Sequence, residues 1–193
     1  KYDILLVADE VITGFGRTGN MFGTTTMGLR PDMIVCAKGL SSAYIPISAL
    51  MVNARVFDAI CEESDRVGMF GLSFTYSGHP VSAAVAREAL RIYEDEDIVG
   101  HVRRMTPHFQ GGLRELLDHP LVGEVRGEGL VAGVELVRDK ATHAAFDAAL
   151  AIGPFCNQRA EEHGLIVRAI GDTISFCPPL IISQIEIEEM IAR

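Results

Sequence analysis

The chain has 193 residues, 48% hydrophobic and 22% charged, and its 17 Lys and Arg against 26 Asp and Glu leave a formal net charge of −9. That composition is too apolar for a disordered chain, and an acidic chain without a Lys/Arg cluster lacks the electrostatic footprint that nucleic acid attracts. The opening aliphatic run, Ile4-Leu5-Leu6-Val7-Ala8, falls far short of the ~20 residues that cross a bilayer, so neither a membrane nor a nucleic-acid partner is expected.

The chain begins at Lys1, with no initiator Met, signal peptide or transit segment before its first apolar run; a cytoplasmic fragment of a longer protein is expected. The run at 4–8 has the pattern of a parallel strand buried on both faces, closing on Asp9-Glu10. A Gly-rich stretch follows, and a second apolar run at 33–37 ends at Lys38. Residues 47–52 predict a third strand and residues 55–63 a helix, together the pattern of an α/β layered sheet. After Pro80, residues 81–95 and 99–117 are helical in period, and strands are predicted over 122–126 and 130–137 around the turn Gly127-Glu128-Gly129. A helix over 152–162 stops at His163-Gly164, and short strands follow at 165–168 and 173–177. Ser183, with Glu186 three residues on, starts a last helix through a capping box. Two domains are predicted, 1–95 and 96–193. The four cysteines, Cys36, Cys61, Cys156 and Cys177, have no metal-ligand spacing and are expected to be buried thiols in a reducing compartment, with no metal bound.

Chemistry concentrates at two strand ends. Asp9 and Lys38 each close a buried apolar run, and in open α/β sheets ligands bind at the carboxyl ends of strands. Such a pair is either a structural ion pair or a pyridoxal phosphate site, where the amine bonds the cofactor aldehyde and the carboxylate keeps the pyridine nitrogen protonated. A rival motif is Gly14-Phe15-Gly16-Arg17-Thr18-Gly19, which fits G-x-G-x-x-G. Its context speaks against a dinucleotide site: five residues separate Ala8 from Gly14, and Gly23, Gly28 and Pro31 make a poor crossover helix.

The series Leu5-Leu6-Val7-Ala8-Asp9-Glu10-Val11-Ile12-Thr13-Gly14-Phe15-Gly16-Arg17-Thr18-Gly19, then Pro31-Asp32-Met33-Ile34 and Ala37-Lys38-Gly39-Leu40, resembles the cofactor signature of class III aminotransferases. Further blocks are Phe74-Thr75-Tyr76-Ser77-Gly78-His79-Pro80, His119-Pro120-Leu121-Val122-Gly123-Glu124-Val125-Arg126-Gly127, and Val167-Arg168-Ala169-Ile170-Gly171-Asp172-Thr173 with Pro178-Pro179-Leu180. The resemblance runs over essentially the whole chain, and its flavour is that of the ω-transaminase branch.

It implies a fold-type I α/β architecture: 1–95 as the carboxyl-terminal part of the large sheet domain, and 96–193 as a smaller α+β domain incomplete at its end. It also implies pyridoxal 5'-phosphate as cofactor, small-molecule amine and keto-acid substrates, and a homodimer. By similarity Lys38 is the lysine that bonds the cofactor, Asp9 the pyridinium partner, Val11 the residue packed on the ring, and Thr75 a donor to the neighbouring subunit's cofactor phosphate. Arg168 resembles the mobile arginine that pairs with a substrate carboxylate, and Phe74 lines the pocket. Glu10 and Arg17 belong to the signature, with local ion pairing as their expected role. Leu72-Ser73 stand where the branch commonly has His-Gly, and Ala43 where a Gly usually precedes the Tyr. The amino-terminal part of the family, with its phosphate loop and ring-stacking aromatic, has no counterpart here, so the isolated chain is expected to be inactive. Aminomutase or decarboxylase chemistry on the same scaffold, an inactive remnant, and nicotinamide-dependent oxidoreduction are the alternatives.

Overall fold

The first apolar run becomes a strand only at its end. In the computed structural model, which describes residues 2–193, β1 spans Val7–Asp9 and pairs in parallel with β2, Met33–Cys36, with Asp9 opposite Val35. The ladder starts no earlier because the Leu6 carbonyl accepts the N–H groups of Asp32 and Met33, while the Leu6 N–H goes to the Asp32 carboxylate at 2.9 Å. β3, Ala49–Val52, lies antiparallel on the other side of β2, which gives a mixed three-stranded sheet in the order β1-β2-β3. Burial on both faces was the expectation for β1, and the structure differs: Val7 and Asp9 are exposed, because the sheet face that these alternate residues share is left uncovered.

Between β1 and β2 the chain makes a single helical turn, α1, Gly23–Thr26. Helix α2, Ala54–Val67, begins where the Asn53 side chain accepts the Val56 N–H and ends at left-handed Gly68; none of its residues is buried. Helix α3, Pro80–Asp95, starts with Pro in its first turn, where the missing N–H costs nothing. Its Tyr93 packs on Phe15, ring centroids 6.3 Å apart, and donates its hydroxyl to the Gly39 carbonyl.

The chain divides into two compact units, one ending at Val99 and one running from Gly100 to the carboxyl terminus. The second unit is built on an antiparallel sheet in the order β4-β5-β7-β6, with β4 at Val122–Glu128, β5 at Val131–Leu136, β6 at Arg168–Ile170 and β7 at Thr173–Phe176. Helix α4, Ile98–Glu115, supplies Val102, Phe109 and Leu113 to its core. Helix α5, Ile152–Glu162, has the bounds that its sequence pattern predicts. Helix α6, Gln184–Ala192, carries the capping box of Ser183 and Glu186 and buries Ile187 in the same core.

The cysteines depart from expectation. Cys36 alone is buried; Cys156 is half-buried, and Cys61 and Cys177 are exposed, all four as free thiols. Cys61 rides on α2, which buries nothing, and Cys177 follows buried Phe176 with the opposite facing that strand alternation dictates. Among the described residues no helix is long and apolar enough to cross a membrane.

Candidate functional site

Asp9 is the last residue of β1, and Lys38 comes three residues beyond Val35, its partner in the parallel register. The acid and the amine therefore emerge from the carboxyl ends of neighbouring strands, which lie about 4.8 Å apart in a sheet. Both side chains are exposed. One Asp9 oxygen, Oδ1, accepts the Val11 N–H at 3.0 Å in a local turn.

Lys38 is presented by an uncommon backbone. It opens a one-turn 3-10 helix, Lys38–Leu40, at φ 42, in the left-handed region where a side chain costs free energy. Gly39 has no room for a side chain, since a Cβ there would sit 2.9 Å from Phe15 Cβ. The Ser41 hydroxyl donates to the Ile45 carbonyl at 2.7 Å and closes the turn. Ser42 and Ala43 also have positive φ, 49 and 64, which is the physical reason a glycine suits the place of Ala43.

The Gly-rich stretch does not form a dinucleotide turn. Phe15 and Gly16 donate their N–H groups back to the Met21 carbonyl, Gly19 donates to Gly16, and only the single turn α1 follows. A nucleotide pyrophosphate needs a crossover helix beginning at these glycines. Val11 is half-buried, and Phe15 is buried against Phe22 in an edge contact, centroids 5.7 Å apart.

Glu10 departs from the local ion pairing expected of it. Its side chain is 1% exposed, and its carboxylate accepts the N–H of Gly23 at 2.9 Å, the N–H of Thr24 at 2.6 Å and the Thr13 hydroxyl. Burial pushes this carboxyl up, but the Thr13 hydroxyl and the Thr24 and Gly23 amides outweigh it and hold it below the usual value. Neighbouring Cys36 is pushed up, mainly by burial and also by the Glu10 charge, so the thiol stays protonated. The anchoring role of Glu10 leaves no local signal in the sequence, because its amide partners lie 13 and 14 positions away.

Phe74 and Thr75 lie in an exposed segment where the Phe74 N–H reaches the Ser77 hydroxyl at 3.3 Å and the Ser77 N–H returns to the Phe74 carbonyl at 2.9 Å. Both side chains face solvent and share no hydrogen bond with Asp9, Val11 or Lys38 among the described residues. Arg168, in the second unit, begins β6 instead of ending a strand over 165–168. The Leu165 N–H is spent on the Ala160 carbonyl at the end of α5, and the two-residue turn Gly171-Asp172 sets the ladder so that Arg168 faces Ser175. Its exposed side chain lines an open cleft of about 330 Å³ with Pro154, Asn157, Val167 and Ala169. Among the described residues no group of three or more His, Cys, Asp or Glu could hold a metal ion.

The pattern of the family described as Aminotransferase class-III matches residues 1–193. A gamma aminobutyrate transaminase 3, chloroplastic, from Solanum lycopersicum is 47% identical over 193 residues, covering 100% of this chain and 37% of that protein. Among solved structures, the omega transaminase from Pseudomonas jessenii in complex with PMP is 51% identical at a TM-score of 0.95, covering 100% of this chain and 43% of that one. A transaminase solved with L-ala is 54% identical at a TM-score of 0.96, covering 99% of this chain and 45% of that one. The chain thus spans 37% to 45% of the length of these relatives.

Proposed function

The chain belongs to the class-III aminotransferases, and on that premise we propose that it contributes the lysine and the aspartate of a transaminase that moves an amino group from an amine or ω-amino acid to a keto acid such as pyruvate. The observation that carries this reading is the placement of Asp9 and Lys38 at the carboxyl ends of adjacent parallel strands. The cofactor of the family is pyridoxal 5'-phosphate, and a related omega transaminase was solved with PMP. The donor set fits it: an amine for an aldehyde, a carboxylate for a pyridine nitrogen, and half-buried Val11 between them in sequence to meet a ring face. When bound, the cofactor supplies that aldehyde and a protonated ring able to take up the electron pair left by a departing α-proton.

The chain's own groups divide the remaining work. Asp9, with Oδ1 engaged by the Val11 N–H, would hold the ring nitrogen through its carboxylate and favour the protonated ring. Lys38 Nζ would hold the cofactor through its aldehyde, and as a free amine it would take the proton from the α-carbon of the donor and hand it on. Arg168 is suited to grip a substrate carboxylate bidentately and to vacate its place for an amine without one. Thr75 and Phe74, both exposed, are free to act outside their own subunit, Thr75 as donor to a partner's cofactor phosphate in a homodimer and Phe74 as pocket wall. Pyruvate as acceptor agrees with the related transaminase solved with L-ala, its aminated product.

Half-reaction analysis of the cofactor-loaded enzyme tests the reading. An amine donor should convert the cofactor to its aminated form, and pyruvate should restore it with formation of alanine, in ping-pong kinetics. Lys38→Ala should abolish both halves, and Asp9→Asn should cost far more in rate than in cofactor affinity. Full turnover in Lys38→Ala, or release of carbon dioxide with no alanine, would sink it.

A further inference from the structure

We infer that Glu10 is a positioning residue that aims the Asp9 carboxylate by clamping the turn after β1; the inference rests on the role proposed for Asp9. The exposed Asp9 carboxylate is steadied from its own chain by the Val11 N–H, so its direction follows the peptide plane between residues 10 and 11. That plane is fixed by residue 10 on three sides. The Glu10 N–H extends the ladder to the Val35 carbonyl at 2.8 Å, and the Glu10 carbonyl accepts the Gly14 N–H at 2.9 Å. On the third side, its buried carboxylate takes the first two amides of α1 and the Thr13 hydroxyl, so one side chain closes the loop from residue 11 to residue 24.

The surroundings are shaped to this anchor. A Cβ on Gly23 would lie 3.0 Å from Glu10 Oε2 and 2.8 Å from Thr13 Cβ, and a Cβ on Gly14 would lie 2.7 Å from the Glu10 carbonyl oxygen. All three partners of the carboxylate are donors, which a carboxylate meets with acceptors alone. A glutamine in its place turns one acceptor into an NH₂, which confronts the Gly23 N–H in one orientation of the amide and the Thr24 N–H in the other. The loop then shifts, the Val11 N–H turns, and Asp9 loses its direction while keeping its charge.

A double-mutant cycle on the cofactor-loaded enzyme separates positioning from plain stabilisation. The variants are Glu10→Gln, Asp9→Asn and their combination, with Thr13→Val as a milder change that removes one bond of the anchor. The readouts are kcat and KM, the pH dependence of the bound cofactor's absorbance, and the melting temperature of the cofactor-free protein. Glu10→Gln should lower kcat about tenfold or more with little change in KM and move the absorbance midpoint; Thr13→Val should do the same to a smaller extent. In the Asp9→Asn background, Glu10→Gln should change kcat by less than about twofold. A lowered melting temperature with kcat and the absorbance profile unmoved would overturn the inference, as would losses that multiply in the double variant. If Glu10→Gln does not fold, an unmoved absorbance midpoint in Thr13→Val overturns it. Unchanged kcat in Asp9→Asn alone would refute the role of Asp9 itself, a separate failure that takes this inference with it.

Discussion

Glu10 keeps its charge in a place water hardly reaches, and that has a thermodynamic signature. Its folded pKa lies below the usual carboxyl value of 4.5, because the Thr13, Thr24 and Gly23 donors outweigh burial. The stability it contributes is therefore fully present above 4.5 and drains away as the pH falls through the lower folded value. Glu10→Gln should lower the unfolding free energy at pH 7 by about 2 kcal/mol, with the gap to the unsubstituted chain narrowing in acid; urea titrations at several pH values would measure it. A gap of constant size would mean that folding does not lower the pKa of Glu10. The sequence makes Asp9, Glu10 and Lys38 visible at once, since they flank apolar runs, but it conceals what Glu10 holds. Hydrogen bonds to amides 13 and 14 positions away follow the path of the loop, not any local pattern.

Among the elements, α5 meets the β6–β7 hairpin at close quarters. The Gly153 N–H donates to Asp172 Oδ1 at 3.0 Å, and a Cβ on Gly153 would run into the Gly171 carbonyl oxygen. Backbone cannot yield as a side-chain tip does, so Gly153→Ala should cost about 1–3 kcal/mol and push the hairpin that carries Arg168. Thermal denaturation would show the loss, and the KM for a keto acid should rise more than that for an amine; equal changes would detach the hairpin from carboxylate recognition. Legibility at this scale follows how local the determinants are. Helix α5 and the Ser183–Glu186 capping box could be read because helical period and caps act within a few residues. β6 is displaced from 165–168 to Arg168–Ile170 because its register is set by the turn and by β7. Helix α1 escapes notice because Gly-Thr-Thr-Thr has poor helix propensity and its first amides are held by distant Glu10.

At the scale of the whole molecule, both units leave apolar surface uncovered. The second encloses Val102, Phe109, Leu113 and Leu130 completely but leaves Ile166 and Ile185 in water, and the first leaves Ile4 78% and Leu50 58% exposed, with Phe57, Phe70 and Phe74 also in water. An open strand edge beside such surface favours association, and the chain spans only 37% of a curated relative's length. Held on its own, the 193-residue chain should self-associate at micromolar concentration, bind an apolar dye, and retain the cofactor weakly. Light scattering, dye fluorescence and visible absorbance would check this, and a dye-silent monomer with a stable yellow absorbance would contradict it. The turn that presents the amine has a different consequence. Lys38, Ser42 and Ala43 all occupy backbone that asparagine or glycine would accept more readily. Durability and reactivity are thus opposed there. A search for heat-resistant variants that never asked for turnover would drift toward asparagine or glycine at position 38, and its hardiest survivors would be the ones that had discarded the lysine.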